Sequence, residues 1–258
     1  MNFTVRSIKT AQVDVPGSEL FWMSEFGEWY TLYFQMVLLQ APGMTVLVNT
    51  GPPEDLKPIN DLWVAGLGPR AEMLRRPEER VVRALANVGV RPEDVTHVIL
   101  TPFQLYTTGN VSLFDNAQVC MSKRGWIHYH TTHDHPHDVR WNSISRELLV
   151  KLVTDAWDQV RLLEDEDEVA PGLRTWWTGG HHRASLAVEV DSNVGVVVIS
   201  DSFFYYENVE NNRMLGISEN MYEALTAYER ARRVAAHLVP LYDPKVFERY
   251  PDGVISEA

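Results

Sequence analysis

Cysteine is almost missing from this chain. Among 258 residues Cys120 stands alone, so no internal disulfide can form and a disulfide-stapled scaffold is excluded. A reducing compartment fits that usage. Positive charge is scarce too: 23 Lys and Arg stand against 35 Asp and Glu, a net charge of −12. Nucleic acid and anionic membrane surfaces are therefore not expected partners, because no counterion release would favour binding to a polyanion. Long apolar runs are lacking as well. The most apolar stretches, Thr31–Gln40 and Val194–Ser200, fall far short of the roughly 20 residues that a spanning helix needs, and read as buried strands. The opening MNFTVRSIKTAQVDVPG has neither an apolar core nor a small-residue cleavage site, so no secretory leader and a cytoplasmic location are expected. With no internal repeat, low-complexity block or linker, a single domain over residues 1–258 is expected.

What is present is ordinary globular material, 45% hydrophobic and 22% charged, with eight Trp and nine His as its more distinctive residues. Short β-branched and aromatic runs at Phe3–Ile8, Trp29–Gln40 and Met44–Asn49 predict strands, the last two joined in a hairpin by Ala41-Pro42-Gly43. Residues 51–69 read as irregular. After Pro77-Glu78-Glu79, Val81, Val82, Leu85 and Val88 are spaced for a helix that Gly89 stops. Strands follow at Val95–Leu100 and Gln118–Met121, then a helix over Ser143–Val160. The acidic run Glu164–Glu168 reads as a solvated turn. Three strands at Leu173–Thr178, Ser185–Val190 and Val194–Ser200 precede a helix from Glu219 to about Leu238. Strand-rich halves, each followed by helices, suggest two sheets packed face to face with helices outside.

The motifs carry this further. Asp94–Thr101 (DVTHVILT), Thr108-Gly109-Asn110 and Phe114–Ala117 (FDNA) resemble the core of the metallo-β-lactamase-fold superfamily, in its acyl-homoserine-lactone lactonase-like branch. Further pieces follow in the family's order: Val46–Pro52 (VLVNTGP) resembles its VDTG turn, Gly179-Gly180-His181 its glycine-histidine turn, and Ile199-Ser200-Asp201 the strand ending in its bridging aspartate. Tyr206-Glu207-Asn208, Val239–Pro244 and Arg249-Tyr250-Pro251 resemble the segments that close the pattern. The resemblance implies an α/β fold of the four-layer αββα sandwich type. In its ordinary members a His-x-His-x-Asp-His loop binds two zinc ions. Laid on Thr101–Asn110, those four ligands fall on Pro102, Gln104, Tyr106 and Thr107; the final-loop histidine falls on Tyr242 and the VDTG aspartate on Asn49. Only His181 and Asp201 keep a ligand type. A catalytic zinc takes three protein ligands plus water, and proline has no donor while Gln, Thr and neutral Tyr are poor ones. The resemblance thus implies a member that has lost its dinuclear site, with no cofactor, zinc absent or substoichiometric, and no metal ligands to assign.

The remaining residues suggest what replaces the metal. His181 and Asp201 are expected to face each other, the carboxylate raising the basicity of the imidazole and fixing its tautomer as in a general base, or else to form a satisfied buried pair. Tyr106 and Tyr242 complete the candidate catalytic set, as donors toward an oxyanion. Gln104, Thr107, His182, Phe204 and Tyr205 are the candidate substrate-binding residues; the bland reading is that they refill a vacated cavity. His128, His130, His133, His135 and His137, interleaved with Asp134 and Asp138, read as a solvated loop or as a relocated metal site. Cys120 reads as a small buried hydrophobe. Three functions fit: a metal-independent enzyme handling a proton on a small organic substrate, an inactive homologue that binds a ligand or protein, and a zinc hydrolase rebuilt on the histidine-rich loop. A small molecule is the expected partner, and a homodimer is compatible with the sequence.

Overall fold

The computed structural model describes residues 1–131 and 140–257. Its strands are β1 (Thr4–Pro16), β2 (Trp29–Ala41), β3 (Met44–Val48), β4 (His97–Leu100), β5 (Gln118–Ser122), β6 (Val160–Leu163), β7 (Glu166–Ala170), β8 (Leu173–Trp177), β9 (Leu186–Ser192), β10 (Gly195–Ser200), β11 (His237–Pro240) and β12 (Val254–Ser256). They form two sheets, ordered β12-β1-β2-β3-β4-β5-β6 and β11-β10-β9-β8-β7.

Period-2 alternation decides what each face touches. On β2, Val37 and Leu39 join a core with Val188 and Val190 of β9 and Val197 and Ile199 of β10, so the two sheets share one apolar layer. The intervening Met36 and Leu38 pack instead with Val81, Ala84, Leu85, Leu148 and Leu152 from helices Val81–Asn87 and Arg146–Val153. On the far side, Ala187 and Val198 meet Ala224, Ala227, Tyr228 and Ala231 of helix Met221–Val234. Helices therefore cover both outer faces, which is the expected αββα sandwich. Among the described residues no helix is long and apolar enough to cross a membrane.

Several elements depart from the sequence reading for local reasons. β1 runs on to Pro16 because its register shifts between Lys9 and Ala11, which resets the alternation. Residues 51–69 are not irregular throughout: Lys57–Leu67 is a helix, with Pro58 in its first turn. The predicted Ser143–Val160 helix stops at Val153, and Val160 opens β6 beside β5. The acidic run is not a solvated turn but enters edge strand β7, where Arg161 pairs with Asp167 (2.7 Å) and Arg230 with Glu166 (2.5 Å). The last helix begins at Met221, capped by Asn220, and ends at Val234, because His237–Pro240 is needed as a strand parallel to β10. His128 and His130 lie on helix Lys123–His130, while His133, Asp134, His135, His137 and Asp138 lie outside the described residues.

Candidate active site

The sequence-predicted site residues gather where strands of both sheets end: Thr101 follows β4, the 178–185 turn joins β8 to β9, Asp201 follows β10, and Tyr242 follows β11. Asn49, just past β3, ties its strand end to Thr101, donating Nδ2–H to the Thr101 carbonyl (2.7 Å) and accepting from the Thr101 amide (2.8 Å). A side chain at the aspartate position of the family turn thus serves here as a splice between strands.

Asp201 is fully buried, and both of its oxygens are engaged by hydroxyls, Oδ1 by Thr101 and Oδ2 by Ser185. Burial pushes its carboxyl above the ordinary range, against the opposing pull of nearby His181 and of the two hydroxyls. His181 is held differently from expectation. Its Nδ1 lies 2.8 Å from the Ile217 carbonyl, which can only accept, so Nδ1 carries the proton and Nε2 presents a lone pair. The tautomer is therefore fixed by a main-chain group and not by Asp201, whose oxygens are taken by the hydroxyls. Burial lowers the pKa of His181 and keeps it neutral, with the Asp201 charge opposing that shift.

Around His181 the rings close up. Phe204 stands edge-on to His181 (4.8 Å between centroids) and to Tyr242 (4.4 Å). Tyr242 in turn meets Phe34 (5.6 Å) and Tyr106 (6.0 Å), and Tyr106 packs on Phe34 (4.7 Å) and Trp63 (5.8 Å). Burial raises the pKa of both phenols well above normal, and the charge of Asp201 adds to it, so both remain protonated donors. His181 Nε2 and Tyr242 Oη are buried and have no hydrogen-bond partner among the described residues.

The other candidates are placed more simply. Thr107 turns its hydroxyl onto the carbonyls of Pro102 (2.6 Å) and Gln104 (2.8 Å), closing a short helical turn at Leu105–Thr108, with half-buried Gln104 at its start. His182 points away from its neighbour: Nδ1 accepts from the Ala184 amide (3.0 Å), and its ring lies 6.4 Å from that of His128. Tyr205 donates to the Thr31 carbonyl (2.6 Å) and packs its ring on Phe21 and Tyr30. Cys120 is buried, and burial pushes its thiol up to about 12, which makes it inert. Sequence reasoning missed Thr101, Ser185 and Ile217, the groups that hold Asp201 and His181, and missed the rings of Phe34 and Trp63. Only Thr101, next to the family loop, carried a signal.

No family model matches the chain. In sequence it is 26% identical over 178 residues to the N-acyl homoserine lactonase AiiB of Agrobacterium fabrum, covering 66% of this chain and 63% of that protein, under two thirds of its length. It is 24% identical over 209 residues to an N-acyl homoserine lactonase of Bacillus cereus, 79% of this chain and 77% of the other. Its structure superposes on an N-acyl homoserine lactone hydrolase, solved with N-hexanoyl-L-homoserine at its catalytic metal centre, with a TM-score of 0.78 and 19% identity over 96% of this chain and 97% of that one. A similar match, with TM-score 0.69, 12% identity, 100% of this chain and 91% of the other, is to a hydrolase of the β-lactamase superfamily. The chain has the metallo-β-lactamase fold. Another neighbour of that fold, AidC, is a dizinc lactonase (TM-score 0.66, 11% identity, 99% of this chain and 95% of that one).

Zinc does not fit the residues that occupy the metal positions of this metallo-β-lactamase fold. Thr107 spends its hydroxyl on carbonyls, Tyr106 and Tyr242 are held as neutral phenols, and Asp201 is engaged by two hydroxyls. His181 alone offers a free nitrogen. Among the described residues no three His, Cys, Asp or Glu side chains come together as a metal group.

Proposed function

We propose that this lactonase-like chain of the metallo-β-lactamase fold acts on a small organic molecule without zinc, with His181 Nε2 as its proton acceptor. One observation carries the reading: a buried, neutral imidazole whose Nδ1–H is fixed by Ile217 leaves the Nε2 lone pair uncommitted, and the Tyr242 phenol packs on the same Phe204 ring. An acceptor and a donor packed on one ring suit a substrate that loses a proton from one atom and gathers negative charge on an oxygen. The nearby Asp201 charge favours the imidazolium that forms, and Tyr106 supports the oxyanion. Isomerisation, elimination or decarboxylation needs no strong nucleophile and matches this set better than hydrolysis. The names of the relatives make lactones and related acyl compounds the first substrates to try.

A second reading, a ligand-binding protein without turnover, is favoured by the closure of the centre: Tyr242 is only 1% exposed and Phe204 5%. Elemental analysis of protein grown with added zinc, together with a substrate panel run on wild type and on His181→Ala, separates the cases. Metal well below one atom per chain and turnover lost in His181→Ala support the enzyme. Ligand binding that survives the substitution, with no turnover in either protein, supports the second reading. Close to two metals per chain, removed together with activity by a chelator, overturns both.

A further inference from the structure

The turn that carries His181 is gripped at Gly180 by one segment, residues 217–224, that takes no part in the chemistry proposed above. The Gly180 carbonyl accepts from the amides of Glu219 (2.7 Å) and Asn220 (3.0 Å) and from the Ser218 hydroxyl (3.0 Å). The Gly180 amide donates to Glu223 Oε2 at 3.1 Å. Ile217, at the start of the same segment, accepts the His181 Nδ1 proton. Glycine is required at the turn by this closeness: Gly180 has φ of +72°, and a Cβ there would come within 2.9 Å of the Ala224 backbone.

Arg183 fastens the two sides together. Its Nε donates to Glu219 Oε2 (2.7 Å), Nη1 donates to Glu223 Oε1 (3.2 Å), and Nη2 donates to Glu223 Oε2, the oxygen that also receives the Gly180 amide. Its carbonyl accepts from Trp177 Nε1 (2.8 Å), and its guanidinium lies over the Trp177 ring at 5.2 Å. The Arg183–Glu223 side chains are about three-quarters buried, so solvent does little to loosen a forked pair of this kind.

We propose that Glu223, locked by Arg183, is a positioning residue for His181. Its carboxylate holds the glycine turn against residues 217–220, and at that spacing the Ile217 carbonyl meets Nδ1 and leaves Nε2 with no hydrogen-bond partner among the described residues. The role rests on the reading of His181 as the working base, but its structural half can be measured without any substrate. Nitrogen-15 NMR of the histidine side chains reports the tautomer directly. Wild type is expected to show His181 protonated at Nδ1; Glu223→Ala is expected to mix the two tautomers and broaden the ring signals. Glu223→Gln, which can still accept from Gly180, is expected to restore most of the wild-type pattern. With an active substrate, Glu223→Ala should lower kcat on the order of tenfold or more with KM nearly unchanged, as displacement of a reacting group does. Should Glu223→Ala fail to fold, Arg183→Met, which keeps the Gly180 acceptor and removes the lock, is read by the same signals. A folded variant with unaltered His181 resonances overturns the positioning role whatever its activity. Failure of the base reading shows itself elsewhere, as turnover that survives His181→Gln.

Discussion

Replacing Tyr242 by Phe removes one oxygen from the centre and leaves the packing in place. The ring keeps its contacts with Phe204 at 4.4 Å, Phe34 at 5.6 Å and Tyr106 at 6.0 Å. The oxygen itself is buried, in a residue 1% exposed, and meets no hydrogen-bond geometry with any described residue, although the Tyr106 phenol lies close enough to influence its ionisation. An unpaired buried hydroxyl costs about 1–3 kcal/mol in proteins, so Tyr242→Phe should stabilise the fold by about that much. For a chain of this size each kcal/mol moves Tm by about 2–4 °C, which makes the expected rise easily resolved by calorimetry. Activity should move the other way. If the phenol donates to a developing oxyanion, its loss lowers kcat by about 10²-fold, the usual size for one such donor. The assay is paired: urea and thermal unfolding on one side, turnover on the other. A fall in Tm would refute the reasoning, since it would mean that the hydroxyl is already well bonded in the resting protein.

Two other perturbations test the surroundings. Burial pushes half-buried Glu19 up to about 7, against an ordinary 4.5, and it makes no ion pair among the described residues. The folded state therefore binds this proton more tightly than the unfolded one, and stability from this group is lost as pH rises from about 4.5 to 7. Glu19→Gln should raise Tm above pH 8 and leave it unchanged near pH 4; an equal gain at both ends would show that charge burial is not the cause. Gly180→Ala places a Cβ within 2.9 Å of Ala224 at a φ of +72°, and should lower stability by about 2–4 kcal/mol in urea unfolding. A change within experimental error would mean that the turn is free to move away from the 217–224 segment.

The sandwich was legible because its strands announce themselves through alternation and its motifs follow one another in the family's order. Val37 and Leu39 against Met36 and Leu38 already divide the inner from the outer face. Helix Lys57–Leu67 escaped because it fully buries only Ile59 and because Pro53, Pro58, Gly66, Gly68 and Pro69 in and around it read as loop punctuation. Strand β7 escaped because its acidic side chains are neutralised by Arg161 and Arg230, residues distant in sequence or hidden in a neighbouring strand. At the site, the family resemblance pointed to His181, Asp201, Tyr106 and Tyr242, yet not to how they are held. The decisive partners of His181 and Gly180 are main-chain carbonyls and amides of residues 217–220, and a backbone group leaves no mark in a sequence.

The side chains at these positions make physical sense as a set. A buried carboxylate must find donors, and Thr101 and Ser185 supply one for each oxygen of Asp201. The loop satisfies its own carbonyls at Pro102 and Gln104 through the Thr107 hydroxyl. The volume must be filled, and Tyr106, Tyr242 and Phe204 fill it together with Phe34 and Trp63. Packing and hydrogen bonding leave two atoms of this set without a described partner, His181 Nε2 and Tyr242 Oη. His181 could have turned its ring to satisfy Nε2, and Tyr242 could be phenylalanine at no loss of packing. An acceptor and a donor left open, with their rings packed on the same Phe204 side chain, are what a bound molecule's proton and oxygen would need.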